Sequence, residues 1–265
     1  PGTGAEDHRA MLGSLKPQPL WQWTAAGKHP AARDFIEAGS STQLSKAFSD
    51  WIAQGYHRLG ESETRRLVHQ SWRFWAGAGN RKDIACGLIK DSSDTIGRPY
   101  PLLILGTGPL NRWQERWPSL LIEFREMYLQ MEGLASRRFA GFKPFEEAVR
   151  GLPASGPRSS TGSTEGGKGM TEPGGEPADV PAEPDIQAWR VEAGGTAYVL
   201  PLQSGISGGE EQTARRRLLG LRTVLAGNPQ AVFAGGSPDR LFLAVFLRGL
   251  TPADFARLWL LPLEE

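Results

Sequence analysis

The sequence predicts an α+β protein in which an antiparallel sheet is flanked by helices. Short apolar runs follow one another with only turn residues between them, which is typical of adjacent antiparallel strands. Amphipathic segments of helical period are grouped between these runs. With 265 residues, the chain is long enough for one large domain or two modest ones.

Three strands are predicted in the first half of the chain. Residues 72–75 read WRFW and form the first of them. Residues 85–89 and 101–105 are apolar runs that flank a loop of Lys, Asp, Ser, Gly and Arg. A polar, glycine-containing connection between two apolar runs predicts a strand, a turn and a second strand.

Three helices are predicted in the same half. Residues 43–59 place apolar side chains at helical spacing, with Thr42 among the N-cap candidates and Gly60 as a stop. A second helix is expected to begin near Pro118, because proline is tolerated in a first helical turn, and to continue to Leu134. Residues 145–152 predict a short third helix.

The composition divides the chain into four parts. Residues 1–20 are polar and are expected to be a disordered lead-in, and residues 21–150 form an N-terminal folded part. Residues 151–185 contain no aromatic side chain and are dominated by Gly, Pro, Ser, Thr and Glu. Such a segment buries too little apolar surface to offset its ordering entropy, so a long disordered linker is predicted. Residues 186–265 are expected to complete or pack on the same fold.

The C-terminal part continues the α+β pattern. Strands are expected at residues 189–192, 197–202, 231–234 and 241–248, and a helix is expected over residues 212–225. A last helix should begin after Thr251, with Pro252 at its first position and Asp254 completing a capping box. The strand 241–247 is apolar on both faces, which predicts a central strand paired with strands of the first half.

Charge and cysteine content limit the possible functions. The formal net charge is +1, so no nucleic-acid partner is expected. The single cysteine, Cys86, lies in an apolar strand and fits a reducing cytoplasm. No apolar run approaches the ~20 residues that span a bilayer, and no secretory signal is visible, so no membrane insertion is expected. The four histidines and one cysteine lack metal-ligand spacing, and neither a cofactor nor a small-molecule substrate is expected.

Two short motifs resemble catalytic or nucleotide-binding signatures. Residues 205–209 satisfy G-x-S-x-G, which leaves open a serine hydrolase with Ser207 as nucleophile. All four histidines precede Ser207, whereas that fold orders its triad with histidine last, so a Gly/Ser-rich loop is favoured. Residues 162–169 nearly form a phosphate-binding loop, but the final position is Gly169 instead of Ser or Thr.

A set of ordered fragments carries a family resemblance. Residues 27–35 read GKHPAARDF, residues 72–74 read WRF, and residues 92–102 read SSDTIGRPYPL. Further matches are the aromatic residues before Gly27 and the C-terminal RGLTPADF at residues 248–255. In this order and spacing, the fragments resemble the TagF (ImpM) family of bacterial type VI secretion systems. The chain departs from the family at Arg33, where the family has glycine.

The resemblance implies a fold and a function. TagF proteins are non-enzymatic post-translational regulators, generally repressive, and are thought to act through a forkhead-associated scaffold protein. Their antiparallel sheet is similar to longin-like modules. The resemblance therefore implies a cytoplasmic regulator that works by protein–protein binding. A purely structural adaptor of the secretion apparatus is the alternative, besides the hydrolase.

Two polar motif loops are the candidate partner-binding surface. Lys28, Arg33 and Asp34 belong to the first loop, and Asp94 and Arg98 belong to the second. The alternative is that Asp94, with the glycine and proline that follow it, simply builds a turn while Asp34 pairs locally.

Overall fold

The computed structural model of the chain describes most of both predicted halves. The described residues are 20–60, 69–80, 82–157, 190–191, 196–202 and 209–261. Within these ranges, strands from both halves form a single antiparallel sheet, and helices pack on its two faces. The predicted antiparallel sheet flanked by helices is thus confirmed.

The sheet of the described residues has nine strands. In chain order they are β1 (Gln22–Gly27), β2 (Ile36–Gly39), β3 (Ser71–Gly77), β4 (Asp83–Lys90), β5 (Leu102–Pro109), β6 (Arg190–Val191), β7 (Ala197–Leu202), β8 (Ala231–Gly236) and β9 (Leu241–Phe246). Their order across the sheet is β2-β1-β5-β4-β3-β8-β9-β7-β6, and every neighbouring pair is antiparallel.

Helices connect these strands. They are α1 (Gln43–His57), α2 (Trp113–Arg116), α3 (Leu120–Glu123), α4 (Arg125–Ser136), α5 (Phe142–Arg150), α6 (Gly209–Arg222) and α7 (Pro252–Leu260), with a 3-10 turn at Trp117–Ser119. The helix predicted from residue 118 to residue 134 is therefore interrupted. Phe124 leaves the helical conformation at φ −86° and ψ 4°, which separates α3 from α4.

The alternation of side chains along the strands builds two cores. In β3, Trp72 and Phe74 point to the face covered by α1 and α7, whereas Trp75 points to the face covered by α2 to α6. Because successive side chains of a strand lie on opposite faces, a strand that is apolar at nearly every position can fill both cores. The sheet is thus the middle layer of three.

The seam between the two halves lies at β3 and β8. Their ladder runs from the pair Ser71 and Gly236 to the pair Ala76 and Ala231. The prediction that strand 241–247 pairs with the first half was wrong, because β9 lies between β7 and β8. Its apolar faces are explained by helices of both layers, α6 on one side and α7 on the other.

The two helix starts that were predicted from capping residues are confirmed. The Thr42 hydroxyl accepts a hydrogen bond from the Ser45 amide at 3.0 Å, and the Ser45 hydroxyl accepts one from the Thr42 amide at 2.8 Å. Thr251 and Asp254 form the equivalent box at the start of α7. Both boxes satisfy backbone amides that have no partner within the helix.

The N-terminal strands were not predicted, and they anchor the chain after α5. The Trp21 amide donates to the Ala154 carbonyl at 2.9 Å, and the Trp23 indole donates to the Pro153 carbonyl at 2.7 Å. Residues 151–157, the start of the predicted linker, therefore pack against β1. The rest of that linker, residues 158–185, and residues 1–19 of the predicted lead-in lie outside the described residues.

Candidate functional site

Asp94 lies at the centre of the two motif loops. One carboxylate oxygen, Oδ2, lies 2.6 Å from Arg98 Nε and 3.1 Å from Lys28 Nζ. The other, Oδ1, accepts hydrogen bonds from the Ile96 and Arg98 amides at 3.1 and 3.0 Å. Asp94 is only 2% exposed, so every favourable contact of its charge comes from these groups.

The protonation of Asp94 follows from these partners. Burial opposes the charged form and would raise the pKa of the carboxyl. Hydrogen bonds from the Arg98 amide and guanidinium, the Lys28 ammonium and the Ile96 amide outweigh burial and hold the pKa well below its usual range. Asp94 is therefore a carboxylate at any pH near neutrality.

The second motif loop is a tight turn around this carboxylate. The Gly97 amide donates to the Asp94 carbonyl at 3.0 Å, and Gly97 has φ +82°, which favours glycine. Ser93 and Pro99 form an isolated antiparallel bridge across the base of the turn. Asp94 and Gly97 thus build the turn, which is the structural role that the sequence analysis gave as the alternative to partner binding.

The first motif loop is tied to the second by backbone and side-chain bonds. The Thr95 amide donates to the Ala32 carbonyl at 2.9 Å. The Arg98 guanidinium donates to the Arg33 carbonyl at 2.6 Å and lies 3.6 Å from the Asp34 carboxylate. The two loops therefore form one cross-linked unit.

The structure brings all five predicted site residues together, but they are presented differently. Lys28 and Asp94 are buried. Asp34 and Arg98 lie at the surface, with side chains 75% and 49% exposed. Arg33 is exposed and contributes its carbonyl to the loop contact. Among the described non-glycine residues, Arg112 alone has a positive φ, so Arg33 occupies the family's glycine position without left-handed backbone strain.

His29 fixes the first loop to the helical layer. Its Nδ1 accepts a hydrogen bond from the Ala31 amide at 3.0 Å. Its ring lies 4.5 Å from the Phe145 ring and 5.7 Å from the Phe139 ring, between centroids. Burial lowers the pKa of His29 despite a hydrogen bond with the Ala135 backbone that raises it, so the neutral imidazole is favoured at pH 7.

Two large apolar side chains project from the linked loops. Phe35 is 60% exposed and Ile96 is 57% exposed. The Phe35 ring packs edge-on against Tyr100 at 4.7 Å and has the Lys28 ammonium 5.1 Å from its centroid. The sequence reasoning considered only the charged residues and missed both. A large apolar residue inside an otherwise polar loop was the signal that could have found them.

A cleft of about 610 Å³ opens beside this surface, between α1 and the sheet. Phe35 and Tyr100 line it on the side of the motif loops. Small side chains line other parts of it, including Thr24 and Ala26 on β1 and Ser49 on α1.

The described residues leave the serine hydrolase alternative open. Ser207, the proposed hydrolase nucleophile, lies outside them. Within them, no group of three His, Cys, Asp or Glu side chains is arranged to hold a metal ion. Burial raises the pKa of the Cys86 thiol well above its usual value, so it is not a ready nucleophile. None of the described helices has the length and apolar character needed to cross a bilayer.

Comparison with known proteins identifies the family. Residues 24–153, which include both motif loops, match the TagF N-terminal domain, described as type VI secretion system-associated. The chain belongs to the TagF family. The resemblance inferred from the ordered motifs is confirmed, and this TagF protein is associated with bacterial type VI secretion.

The TagF fold also extends beyond the matched domain. The crystal structure of PA0076 from Pseudomonas aeruginosa PAO1 is similar with a TM-score of 0.52 and 18% sequence identity. The similarity covers 89% of this chain and 93% of PA0076, so the two proteins share a fold across both halves. No curated protein sequence matches the chain.

Proposed function

We propose that this TagF protein is a non-enzymatic, post-translational regulator of type VI secretion. It acts as a repressor in the bacterial cytoplasm by binding a forkhead-associated scaffold protein. The observation that carries the proposal is the pair of motif loops, which are cross-linked around buried Asp94 and project Phe35 and Ile96 into solvent.

The electrostatics of the loops favour binding over catalysis. Lys28 and Arg98 both contact the Asp94 carboxylate, and each oxygen of that carboxylate already has two donors. A general acid or base needs a group within reach of substrate and a pKa near the working pH. Asp94 is buried and its pKa is far below that range, so it serves as a structural anchor.

The exposed part of the loops has the character of a binding surface. Aromatic and aliphatic side chains that protrude from a rigid frame lose little entropy when they enter a partner's pocket. Phe35 is held by Tyr100 and Lys28, and the frame beneath it is cross-linked. In this proposal Phe35 and Ile96 are the anchors, and Arg33, Asp34 and Arg98 form a polar rim.

The proposal is tested with the purified full chain and the forkhead-associated scaffold from the same secretion gene cluster. Isothermal titration calorimetry should detect binding by the wild type. Phe35→Ala and Ile96→Ala should each weaken it by about tenfold to a hundredfold, the loss typical of truncating a buried interface anchor. Val224→Ala, at a residue 46% exposed in the C-terminal half, is the matched control and should leave affinity unchanged.

A secretion assay tests the repressor role. Deleting the gene should increase effector release, and the wild-type gene should restore repression, whereas the Phe35→Ala/Ile96→Ala variant should not. Effector release that is the same with and without the gene, under inducing and repressing conditions, would contradict a regulatory role. It would leave the structural adaptor as the better hypothesis.

A further inference from the structure

A group of basic side chains surrounds the connection between α4 and α5. Arg137 and Arg138 directly follow α4 and are exposed, and Lys143 is exposed in the first turn of α5. Lys90, the last residue of β4, places its ammonium 2.8 Å from the Ser136 hydroxyl at the end of α4. These four residues, Lys90, Arg137, Arg138 and Lys143, are named the basic corner.

Among the residues that the structure describes, no ion pair balances the positive charge of the basic corner. Many arginines of the described chain form ion pairs with carboxylates: Arg73, Arg98, Arg112, Arg116, Arg125, Arg150 and Arg248. No ion pair joins any member of the basic corner to a described carboxylate. On the flanking helices, Glu132 is already paired with Arg73 and Glu146 with Arg150, and Glu147 lies one helical turn after Lys143. Because the formal net charge of the whole chain is only +1, the basic corner is a local excess of positive charge.

Helix stabilisation accounts for only part of the basic corner. Arg137 and Arg138 lie at the C-terminus of α4, where a cation interacts favourably with the helix dipole. Lys143 lies in the first turn of α5, where the same dipole disfavours a cation and where α5 has no acidic residue. The stability of α5 therefore does not explain why a lysine occupies position 143.

The basic corner is held against the first motif loop. The Arg137 guanidinium lies 5.1 Å from the Phe139 ring, which packs on Phe145 at 5.4 Å. Both rings contact His29, which follows Lys28 in the motif loop. The basic corner therefore adjoins the first motif loop through His29, on the face of the sheet that α4 and α5 cover, while Phe35 lines the cleft on the α1 face.

We propose that the basic corner binds an acidic segment of the same partner protein that the Phe35 and Ile96 anchors contact. This inference rests on the proposed function, because it adds a second contact to that interface. An extended acidic segment places carboxylates on one face about 7 Å apart, so a few residues can neutralise several cations. Four charges on a nearly neutral protein are few for nucleic acid, whose affinity scales with the number of phosphates neutralised.

The first test measures scaffold affinity against salt. Arg137→Glu/Arg138→Glu should bind the scaffold about tenfold more weakly at low salt, with a shallower salt dependence than the wild type, because screening acts on exposed charges. Arg58→Glu/Arg216→Glu makes the same change in net charge at exposed positions outside the basic corner and should stay within about twofold of the wild type. Circular dichroism confirms that both variants fold.

The second test uses a fluorescein-labelled peptide of eight glutamates as the probe. Its anisotropy should rise with the wild type and the control variant, and not with Arg137→Glu/Arg138→Glu. Anionic phospholipid vesicles and, separately, inorganic phosphate are added as competitors. They show whether other anions bind the basic corner. Vesicles that co-sediment with the wild type but not with Arg137→Glu/Arg138→Glu, together with no binding of the peptide, would overturn the inference in favour of a membrane contact.

The two proposals fail in different ways. Scaffold binding that is unaffected by Arg137→Glu/Arg138→Glu overturns the role of the basic corner and leaves the proposed function intact. Absence of scaffold binding by the wild type overturns the proposed function. In that case the glutamate peptide still decides whether the basic corner recognises acidic segments.

Discussion

Replacing Phe233 with alanine should destabilise both halves of the protein at once. Phe233 is fully buried in β8 and stacks on its cross-strand neighbour Phe74 in β3, with ring centroids 5.0 Å apart. Its ring also packs against Trp51 of α1 and Phe246 of β9, each at 5.8 Å. Removing a buried phenylalanine ring costs about 3–5 kcal/mol. The aromatic contacts favour the upper half, so a loss of about 4 kcal/mol in the free energy of unfolding is expected.

Urea unfolding followed by tryptophan fluorescence and by far-ultraviolet circular dichroism measures this loss. Because the β3–β8 ladder joins the halves, both signals should shift together in a single transition. In a thermal scan, 4 kcal/mol corresponds to a fall in Tm of about 8–16 °C, at roughly 2–4 °C per kcal/mol for a chain of this size.

Phe233→Leu is the matched control for the loss of ring volume. It keeps an apolar side chain at the seam and should cost about 1–2 kcal/mol. Two separate transitions, of which only one responds to Phe233→Ala, would contradict a seam shared by both halves. A loss below about 1 kcal/mol would contradict it equally, because that is less than a buried aromatic anchor contributes.

Three further predictions follow from single sites. Gly87→Ala should cost about 1–3 kcal/mol, because its new Cβ would lie 2.4 Å from ring atoms of Phe74; a cost near zero in urea titration would contradict this overpacking. Burial raises the pKa of Asp91 to about 6, so the folded state binds the proton more tightly than the unfolded chain. The wild type therefore loses stability as pH rises from about 4 through 6. Over that range the free energy of unfolding of Asp91→Asn should rise by about 1–2 kcal/mol relative to that of the wild type. If the free energies of unfolding of the two proteins change in parallel with pH, the raised pKa of Asp91 is contradicted. Asp94→Ala should leave the Lys28 ammonium without its carboxylate and uncouple the motif loops, which hydrogen exchange should report as faster exchange of both loops; unchanged protection would show that they are held by other contacts.

Local sequence patterns were sufficient to predict the fold class and several elements. The N-cap candidate Thr42, the capping box of Thr251 and Asp254, and the apolar stripe of α1 predicted where two helices begin. The apolar runs and the turn residues between them predicted β3, β4 and β5 as adjacent antiparallel strands. These signals are local, because helix caps, turns and side-chain periodicity involve residues within a few positions of one another. The order of the motif fragments also identified the family.

The N-terminal strands were a different case. The short β2 has only Ile36 and Ala38 as buried apolar residues, and β1 has small side chains at several positions. A four-residue strand with two apolar positions cannot be distinguished from a loop by periodicity. Its pairing with β1, which places it at the edge of the sheet, supplied the missing information.

The pairing of the strand that joins the halves, and the exposure of each site residue, depend on contacts between distant parts of the chain. An apolar strand such as β9 can pair with any partner, and its register with β8 and β7 depends on contacts far apart in sequence. Lys28 and Asp94 look like surface charges in the sequence, yet they meet across two loops and are buried as an ion pair. The same packing leaves Phe35 and Ile96 exposed, although both are large apolar side chains. Burial is a property of the assembled surface, so no local pattern could assign it.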